Sequence, residues 1–226
     1  MKKILLVIFL IGMLSMQSAY GHKLISHDDT HRDFDSALRI PDHKISWAVY
    51  ENLGVNEAKY YTFEAKKGDS LYASIVIPKI SGLEEYSPTM ILVNEINGQY
   101  NSEKFPYEGN FPGIEFYEPF GQVTYWERQE ITSEIPTDGT YYIVVMDEKN
   151  QIGKYSFAIG TIEDFSGGDF FTILPKAWFD TKLFVKDYSA IVIFFTVLVV
   201  IIGIPTLYII RKHKIKRING NVSTIK

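Results

Sequence analysis

The chain has 226 residues, 22% of them charged, with a formal net charge of −4 and no cysteine. The total conceals a strong asymmetry, because residues 22–187 carry 27 acidic and 15 basic side chains, whereas residues 211–226 carry six basic and no acidic ones. An acidic surface repels phosphate, which argues against a nucleic-acid-binding domain in the long central region. The absence of cysteine excludes a disulfide framework and a thiol nucleophile.

Residues 1–21 have the features of a signal peptide. Two lysines come first, Ile4–Met13 is apolar but too short to span a bilayer comfortably, and Ala19 and Gly21 supply the small residues of a cleavage site. Cleavage after Gly21 makes His22 the N-terminus of the mature chain. An uncleaved anchor is the alternative, and in both cases we expect the following region to lie outside the cytoplasm.

Residues 22–44 form a polar N-terminal segment that is rich in histidine and aspartate. The α-amine and imidazole of a mature N-terminal His22 can chelate one metal ion, and a further imidazole would complete an all-nitrogen site of the kind that suits copper. The pair Asp33 and Asp35 would instead suit calcium. The alternative interpretation is a solvated leader that binds nothing. The predicted metal ligands are His22, His27, His31 and His43.

From residue 45 to residue 160, short alternating segments separated by turn residues predict an antiparallel β-sandwich. Alternate side chains of each strand should face the core, and this rule assigns Phe63, Ile75, Val144 and Phe157 to the interior. The predicted strands are Ser46–Glu51, Glu57–Ala65, Ser70–Ile77, Thr89–Asn94, Gln122–Thr132, Thr140–Asp147 and Gly153–Gly160.

The segment Glu95–Gly121 interrupts this pattern with three prolines and weak periodicity, which predicts a long loop. Loops of this length are often functional, and aromatic rings beside carboxylates can stack on sugars or hold a cationic ligand. The alternative is that the rings form a small core of the loop itself. The candidate ligand-binding residues are Tyr107, Glu115, Tyr117, Glu118 and Phe120.

Enzymatic activity finds little support in the residues. Glycoside hydrolysis needs two acids that face each other across a cleft, and Glu115 with Glu118 is the most plausible pair. No serine lies in a nucleophile-elbow sequence, and no glycine-rich phosphate loop precedes a helix. We therefore predict no catalytic residue, and a carbohydrate-active enzyme is kept as an alternative.

Three runs of sequence carry a resemblance to a known family. Lys59–Leu71 resembles the opening hairpin of bacterial pre-peptidase C-terminal domains, and Pro136–Val145 with Gly153–Phe157 is similar to their closing strands. The resemblance implies a jelly-roll-like β-sandwich that is attached to enzymes without being catalytic. It brings no catalytic residues to this chain.

The wider arrangement is similar to that of archaeal membrane-anchored proteins of unassigned function. Ser46–Tyr50, Tyr117–Phe120 and Ala158–Gly160 carry this likeness, together with an aromatic stretch and one transmembrane helix that follow them. The likeness extends over about residues 45–210. It rests on turn and core residues, which specify a fold rather than a reaction.

Residues 188–210 form an uncharged stretch that predicts one transmembrane helix, since 23 helical residues are about 34 Å long and a bilayer core is about 30 Å thick. The basic tail, residues 211–226, should lie in the cytoplasm, and the acidic region should lie outside. Residues 161–187 form an aromatic juxtamembrane segment, for which we expect short helices that lie on the outer leaflet or pack against the sandwich.

The sequence therefore predicts an all-β ectodomain followed by one transmembrane helix, in a single-pass type I protein of the cell membrane. We expect a non-enzymatic protein that presents its sandwich to a ligand or partner, or an accessory subunit of a membrane complex. The alternatives are a metal-binding protein and a carbohydrate-active enzyme. The expected partners are the lipid bilayer and other membrane or cell-surface proteins or glycans, with no nucleic acid. No cofactor is required, although copper or calcium would fit the N-terminal segment.

Overall fold

The computed structural model describes residues 22–96, 99–164 and 169–222, so the predicted signal peptide lies outside the described residues. The described part contains eleven strands and two helices. The strands are β1 (Lys23–Leu24), β2 (Leu38–Arg39), β3 (Trp47–Leu53), β4 (Ala58–Ala65), β5 (Ser70–Pro78), β6 (Thr89–Ile96), β7 (Gln99–Phe105), β8 (Glu115–Glu118), β9 (Val123–Glu134), β10 (Gly139–Met146) and β11 (Gly153–Ile159). The helices are α1 (Asp169–Phe184) and α2 (Tyr188–Val222).

The strands form two sheets, which confirms the predicted sandwich. One sheet has six strands in the order β1-β3-β11-β5-β9-β8, and the other has five in the order β2-β4-β10-β6-β7. The ladders are antiparallel except at one edge of each sheet, where β1 pairs with β3 and β2 pairs with β4 in parallel. The sheets are therefore mixed rather than purely antiparallel, because the N-terminal segment runs alongside both edges.

The core lies between the two sheets and follows the two-residue period of the strands. On β5, the core-facing side chains of Leu71, Ala73, Ile75 and Ile77 are at most 1% exposed. Across the interface, the rings of Tyr61 and Phe157 stack with their centroids 4.3 Å apart. This alternation confirms the sequence-predicted inward positions of Phe63, Ile75 and Phe157.

The prediction that the Val144 side chain points into the core is wrong. On β10, the core contains Tyr141, Ile143 and Val145, and the two-residue period therefore turns Val144 toward the other face of the sheet. Val144 is nonetheless only 6% exposed. Several consecutive apolar residues on this strand hide its alternation from a reading of the sequence alone.

The predicted loop Glu95–Gly121 contains strand structure at both of its ends. Strands β6 and β7 form a hairpin that runs from Met90 opposite Phe105 to Ile96 opposite Gln99, so the end of β6 and all of β7 fall within the predicted loop. Strand β8 pairs with β9. Strands β7 and β8 are edge strands whose side chains are mostly exposed, so they lack the hydrophobic alternation by which a strand is recognised.

The N-terminal segment is packed against the sandwich, so its interpretation as a solvated leader is wrong. His31 and His43 are each 2% exposed, and Ile40 belongs to the hydrophobic core. The sandwich consequently begins at β1, ahead of the predicted start at residue 45. Parallel pairing of β1 with β3 and of β2 with β4 provides main-chain hydrogen bonds for a segment whose composition suggested solvent exposure.

Internal contacts divide the chain after Thr181 into a sandwich unit and a C-terminal unit. Within the sandwich unit, Ala177 and Thr181 of α1 are buried, as expected for the alternative in which this segment packs against the sandwich. In the C-terminal unit, Tyr188–Lys212 is long and apolar enough to span a membrane, with a mean hydropathy of 2.8. Its apolar side chains are exposed, Val199 by 68%, which fits lipid contact better than a buried core helix.

Candidate functional site

A cavity of about 150 Å³ lies on the outer face of the six-stranded sheet. On β5 it is lined by Tyr72, Ser74 and Val76, the residues between the core-facing ones. The same strand therefore serves the core with one face and the cavity with the other. The remaining lining comes from β3 (Ala48, Tyr50), β11 (Ser156, Ala158), β9 (Tyr125, Glu127), α1 (Ala177, Thr181), the β8 region (Phe116, Glu118, Phe120) and the N-terminal segment (His22, Leu24).

Hydroxyl groups join the sheet to the helix inside this cavity. The Tyr50 hydroxyl lies 2.8 Å from Thr181 Oγ1 and also hydrogen-bonds with Tyr125. Burial raises the pKa of the Tyr50 hydroxyl, and it raises the pKa of Tyr125 well above the ordinary value. Both groups therefore stay neutral and offer hydrogen bonds rather than a base.

The Glu118 carboxylate closes the tight turn that follows β8. Its Oε1 accepts a hydrogen bond from the Phe120 amide at 2.7 Å, and its Oε2 accepts one from the Gly121 amide at 2.6 Å. A Cβ at Gly121 would lie 2.7 Å from both Glu118 Oε2 and Thr181 Cγ2, so any larger residue would displace the Glu118 carboxylate or the Thr181 side chain. The turn thus holds a carboxylate and an aromatic ring in the wall of the cavity.

Two of the five predicted ligand-binding residues, Glu118 and Phe120, line this cavity. Tyr107 instead packs on Phe111 and lies 5.0 Å from the Arg128 guanidinium, as the alternative of a small loop core predicts. Glu115 forms an exposed ion pair with Lys79, and Tyr117 is 57% exposed. Neither of these two lines the cavity.

Sequence reasoning missed most of the cavity lining, including Tyr50, Tyr72 and Tyr125. The one available signal was the second face of the strands, whose polar and aromatic residues stand between core positions. That signal does not distinguish a cavity wall from an ordinary solvent-exposed face.

The predicted pair for glycoside hydrolysis is not arranged for that reaction. Glu115 and Glu118 are three residues apart on β8, and side chains at that spacing leave a strand on opposite faces. Only Glu118 is directed into the cavity. The two carboxylates therefore do not face each other across a shared cleft, as the mechanism requires.

Of the four predicted metal ligands, the structure brings two together. His27 and His31 meet beside Glu51 of β3, and one potential ligand atom from each of the three lies within 4.8 Å of the others. Glu51 was not identified from the sequence, although its place between two core-facing apolar residues of β3 marks it as an unusual carboxylate.

The other two histidines lie elsewhere. His22 Nδ1, the ring nitrogen that can chelate together with the α-amine, lies 2.6 Å from the Ser46 hydroxyl. His43 packs on Phe63, and its Nε2 is 3.8 Å from Asp69 Oδ2. Burial lowers the pKa of His43, which favours a neutral imidazole at this position.

No family model matches the chain, and no curated protein matches it. Similar solved structures include the periplasmic lysozyme inhibitor PliG of Salmonella Typhimurium, with 16% identity, a TM-score of 0.32 and coverage of 55% of this chain and 96% of that chain. The Yersinia pseudotuberculosis-derived mitogen has 11% identity, a TM-score of 0.35 and coverage of 57% and 94%.

A third similar structure is the pre-peptidase C-terminal domain of collagenase from Bacillus anthracis. It has 16% identity, a TM-score of 0.31 and coverage of 54% of this chain and 91% of that chain. This is the family that the sequence runs resemble. At TM-scores this low the three likenesses carry no argument about function, and the likeness to archaeal proteins stays a prediction.

Proposed function

We propose that this chain is a membrane-anchored, non-enzymatic binding protein whose sandwich receives a single side chain of a partner protein. The cavity on the outer sheet face is the observation that supports this proposal. A cavity of about 150 Å³ accommodates a molecule the size of benzene, whereas sites for larger organic ligands are typically about 300–1,000 Å³. The volume therefore suits one inserted side chain, in the manner of an interface anchor.

The lining favours a lysine or arginine as that side chain. Tyr72, Val76 and Phe116 provide apolar and aromatic walls for a methylene stem, and Glu118 and Glu127 add two carboxylates to the lining that can attract a cationic head. The net charge of −12 on residues 22–187 also attracts a basic partner surface.

The proposed membrane anchor indicates where the sandwich would meet such a partner. Tyr188–Lys212 has the length and hydropathy of a membrane span, and the basic residues after it favour a cytoplasmic C-terminus. The sandwich would then lie outside the cytoplasm. Its partner would be another membrane or cell-surface protein.

The experiment blocks the cavity in the full-length chain and compares what co-purifies with it from cross-linked native membranes. Ser74→Phe places a ring in the cavity, and Ser102→Phe places the same ring on exposed β7 of the other sheet. Glu127→Lys reverses a charge at the cavity, with Glu130→Lys as its control on the same strand.

We expect the same discrete partner with the wild type and both control variants, and its loss with Ser74→Phe and Glu127→Lys. Recovery of that partner at equal yield with all four variants would rule out the cavity as the binding site. A partner lost with Ser102→Phe and retained with Ser74→Phe would place binding on the opposite sheet.

A further inference from the structure

The connection between the two sheets carries a group of residues that the proposed function does not use. Residues 25–37 lead from β1 at the edge of one sheet to β2 at the edge of the other. The Ile25 amide donates to the Ala48 carbonyl at 2.9 Å, and the His31 carbonyl accepts from the Tyr60 amide at 3.0 Å. These main-chain bonds hold the connection against both sheets, and its two histidines lie beside β3.

Glu51 occupies a core-facing position of β3, between Val49 and Leu53, which are fully buried. A carboxylate at such a position is strongly unfavourable unless it is paired or bound to a metal ion. Glu51 Oε1 lies 2.7 Å from His31 Nε2 and 3.3 Å from His27 Nε2. Two imidazoles thus converge on one buried carboxylate oxygen.

The hydrogen bonding of this group is incomplete. Among the described residues, neither Glu51 Oε2 nor His31 Nδ1 has a hydrogen-bond partner, although Glu51 is 1% and His31 is 2% exposed. Buried polar atoms are nearly always satisfied, and an exception calls for an explanation such as a bound ion. Glu51 Oε2 is available to join Oε1 on such an ion, and His31 Nδ1 is available to carry the proton that Nε2 gives up.

We propose that His27, His31 and Glu51 bind a single divalent transition-metal ion of the Zn²⁺ type. Two imidazoles and one carboxylate form a ligand set that suits Zn²⁺ and leaves a fourth position open. Tetrahedral ligands at about 2.0–2.1 Å from Zn²⁺ are about 3.3–3.4 Å from one another. His27 Nε2 and Glu51 Oε1 already stand 3.3 Å apart, and the His31 contact has to lengthen by less than an ångström.

Binding of the ion at both Nε2 atoms requires each imidazole to carry its proton on Nδ1. Both Nε2 atoms face Glu51 Oε1, and His27 Nε2 also lies 3.2 Å from the Tyr50 carbonyl oxygen. A metal ion on the two nitrogens displaces any proton that they donate and replaces the His27 bond to Tyr50. In His31 that proton can move to the unpartnered Nδ1. In His27 the proton can likewise move to Nδ1. There it replaces the 3.2 Å hydrogen bond that Nδ1 accepts from the Asp29 amide at the exposed surface.

Neighbouring side chains hold the ligands in place and leave an entry route. Arg32 of the same connection bonds to Glu57 at 2.6 Å, and buried Lys59 contacts both Asp29 and Glu57. The Tyr61 hydroxyl lies 3.3 Å from Glu51 Oε1 and can orient the carboxylate. The His27 side chain is 13% exposed, so an ion and a water ligand can reach the site from this side.

This site goes beyond the proposed function, because none of its three ligands lines the cavity. It also differs from the site expected at the mature N-terminus, since it includes a carboxylate and excludes His22. The two proposals can therefore fail separately.

The test uses the full chain in detergent, with an affinity tag that contains no histidine, after treatment with a chelator. Zn²⁺ is titrated in competition with a chromogenic chelator, and Co²⁺ absorption reports the coordination geometry. The variants are His27→Ala and Glu51→Gln, and His22→Ala is the matched control with one histidine fewer outside the site. Ca²⁺ serves as the comparison ion.

We expect one Zn²⁺ per chain, at least about tenfold weaker binding in His27→Ala and Glu51→Gln, and unchanged binding in His22→Ala. Zn²⁺ should also raise the melting temperature of the wild type and leave that of His27→Ala unchanged. If Glu51→Gln does not fold, the partly exposed His27 still decides the question. Equal affinities of the wild type and His27→Ala, absence of Zn²⁺ binding, or equally tight Ca²⁺ binding would each overturn the proposal.

Discussion

The hydroxyl groups of Tyr61 and Tyr155 meet 2.9 Å apart between the two sheets, although the residues are 94 positions apart in the chain. The Tyr61 hydroxyl donates to Glu51 Oε1 at 3.3 Å, so Tyr155 donates to Tyr61. Burial, the neighbouring hydroxyl and Glu51 raise the pKa of Tyr61 well above its ordinary value, and burial and Glu51 do the same for Tyr155. A continuous hydrogen-bonded chain thus links β11, β4 and β3.

This chain predicts energetic coupling between the two tyrosines. Tyr155→Phe removes one donor and should lower the free energy of unfolding by about 1–3 kcal/mol. The double variant with Tyr61→Phe should cost less than the sum of the two single ones, because the same hydrogen bond is lost in all three. Guanidinium unfolding of the detergent-solubilised chain measures the cycle, and strictly additive costs would contradict the coupling.

The centre of the core predicts a large effect at Phe157. Its ring is fully buried and stacks on Tyr61, so Phe157→Ala leaves a cavity between the sheets. We expect a loss of about 3–5 kcal/mol in the free energy of unfolding. Val55→Ala, at a position that is 53% exposed, is the control and should cost less than about 1 kcal/mol. An unchanged unfolding midpoint in Phe157→Ala would contradict the assignment of this residue to the core.

Arg128 predicts a different kind of stabilisation. Its guanidinium donates to the main-chain carbonyls of Tyr86, Glu84 and Pro112 at 2.7–3.0 Å, and it lies over the Tyr107 ring. Lysine cannot reproduce this planar set of bonds, so Arg128→Lys should cost about 2–4 kcal/mol of unfolding free energy and speed proteolysis near Pro112.

Lys104 supplies the contrast for Arg128. It forms a 2.7 Å ion pair with Glu148, and both side chains are exposed to solvent. Screening by water makes such pairs weak, and Lys104→Ala should change the unfolding free energy by less than about 1 kcal/mol. Equal losses in the two variants would show that the buried carbonyl contacts of Arg128 have no special effect.

The Glu57 carboxylate predicts a dependence of stability on acid. Burial tends to raise its pKa, but the Gly54 amide and the Lys59 and Arg32 cations outweigh burial and hold the pKa below its ordinary value. Because the folded state holds this proton less tightly than the unfolded state, the stabilisation is fully present above the ordinary pKa of about 4.3 and is lost as the pH falls through the folded pKa.

The measurement for Glu57 is the melting temperature between about pH 5 and pH 3. We expect Glu57→Gln to flatten the decline of the wild-type curve, and Glu130→Gln, at an exposed position of β9, to follow the wild type. A Glu57→Gln curve that runs parallel to the wild-type curve would remove Glu57 from the groups that cause acid unfolding.

The charge asymmetry around α2 predicts the orientation of the chain. Residues 22–187 should be outside, and the tail after Ile210 should be in the cytoplasm. Protease added to intact cells should remove the sandwich and spare an epitope tag placed after Lys226. Loss of that tag with retention of the sandwich would indicate the reverse orientation.

Local sequence patterns identified the helix that is long and apolar enough to span a membrane and the faces of the central strands that point inward. An uncharged run identifies α2, and strict alternation identifies the core residues of β5, because both signals arise from the periodicity of a single segment. The same reasoning failed at Val144, where consecutive apolar residues conceal the period, and at β7 and β8, where an edge strand exposes its side chains.

Only the tertiary structure showed which residues come together in the two candidate sites. The contact between Tyr50 and Thr181 joins residues 131 positions apart, and Glu51 meets His31 across 20 positions. Both depend on the order of strands in the sheets and on the path of the N-terminal segment from one sheet edge to the other, which no single segment encodes. The residue types of the N-terminal segment indicated four candidate metal ligands. In the folded chain, His27 and His31 lie together beside Glu51, whereas His22 and His43 lie elsewhere.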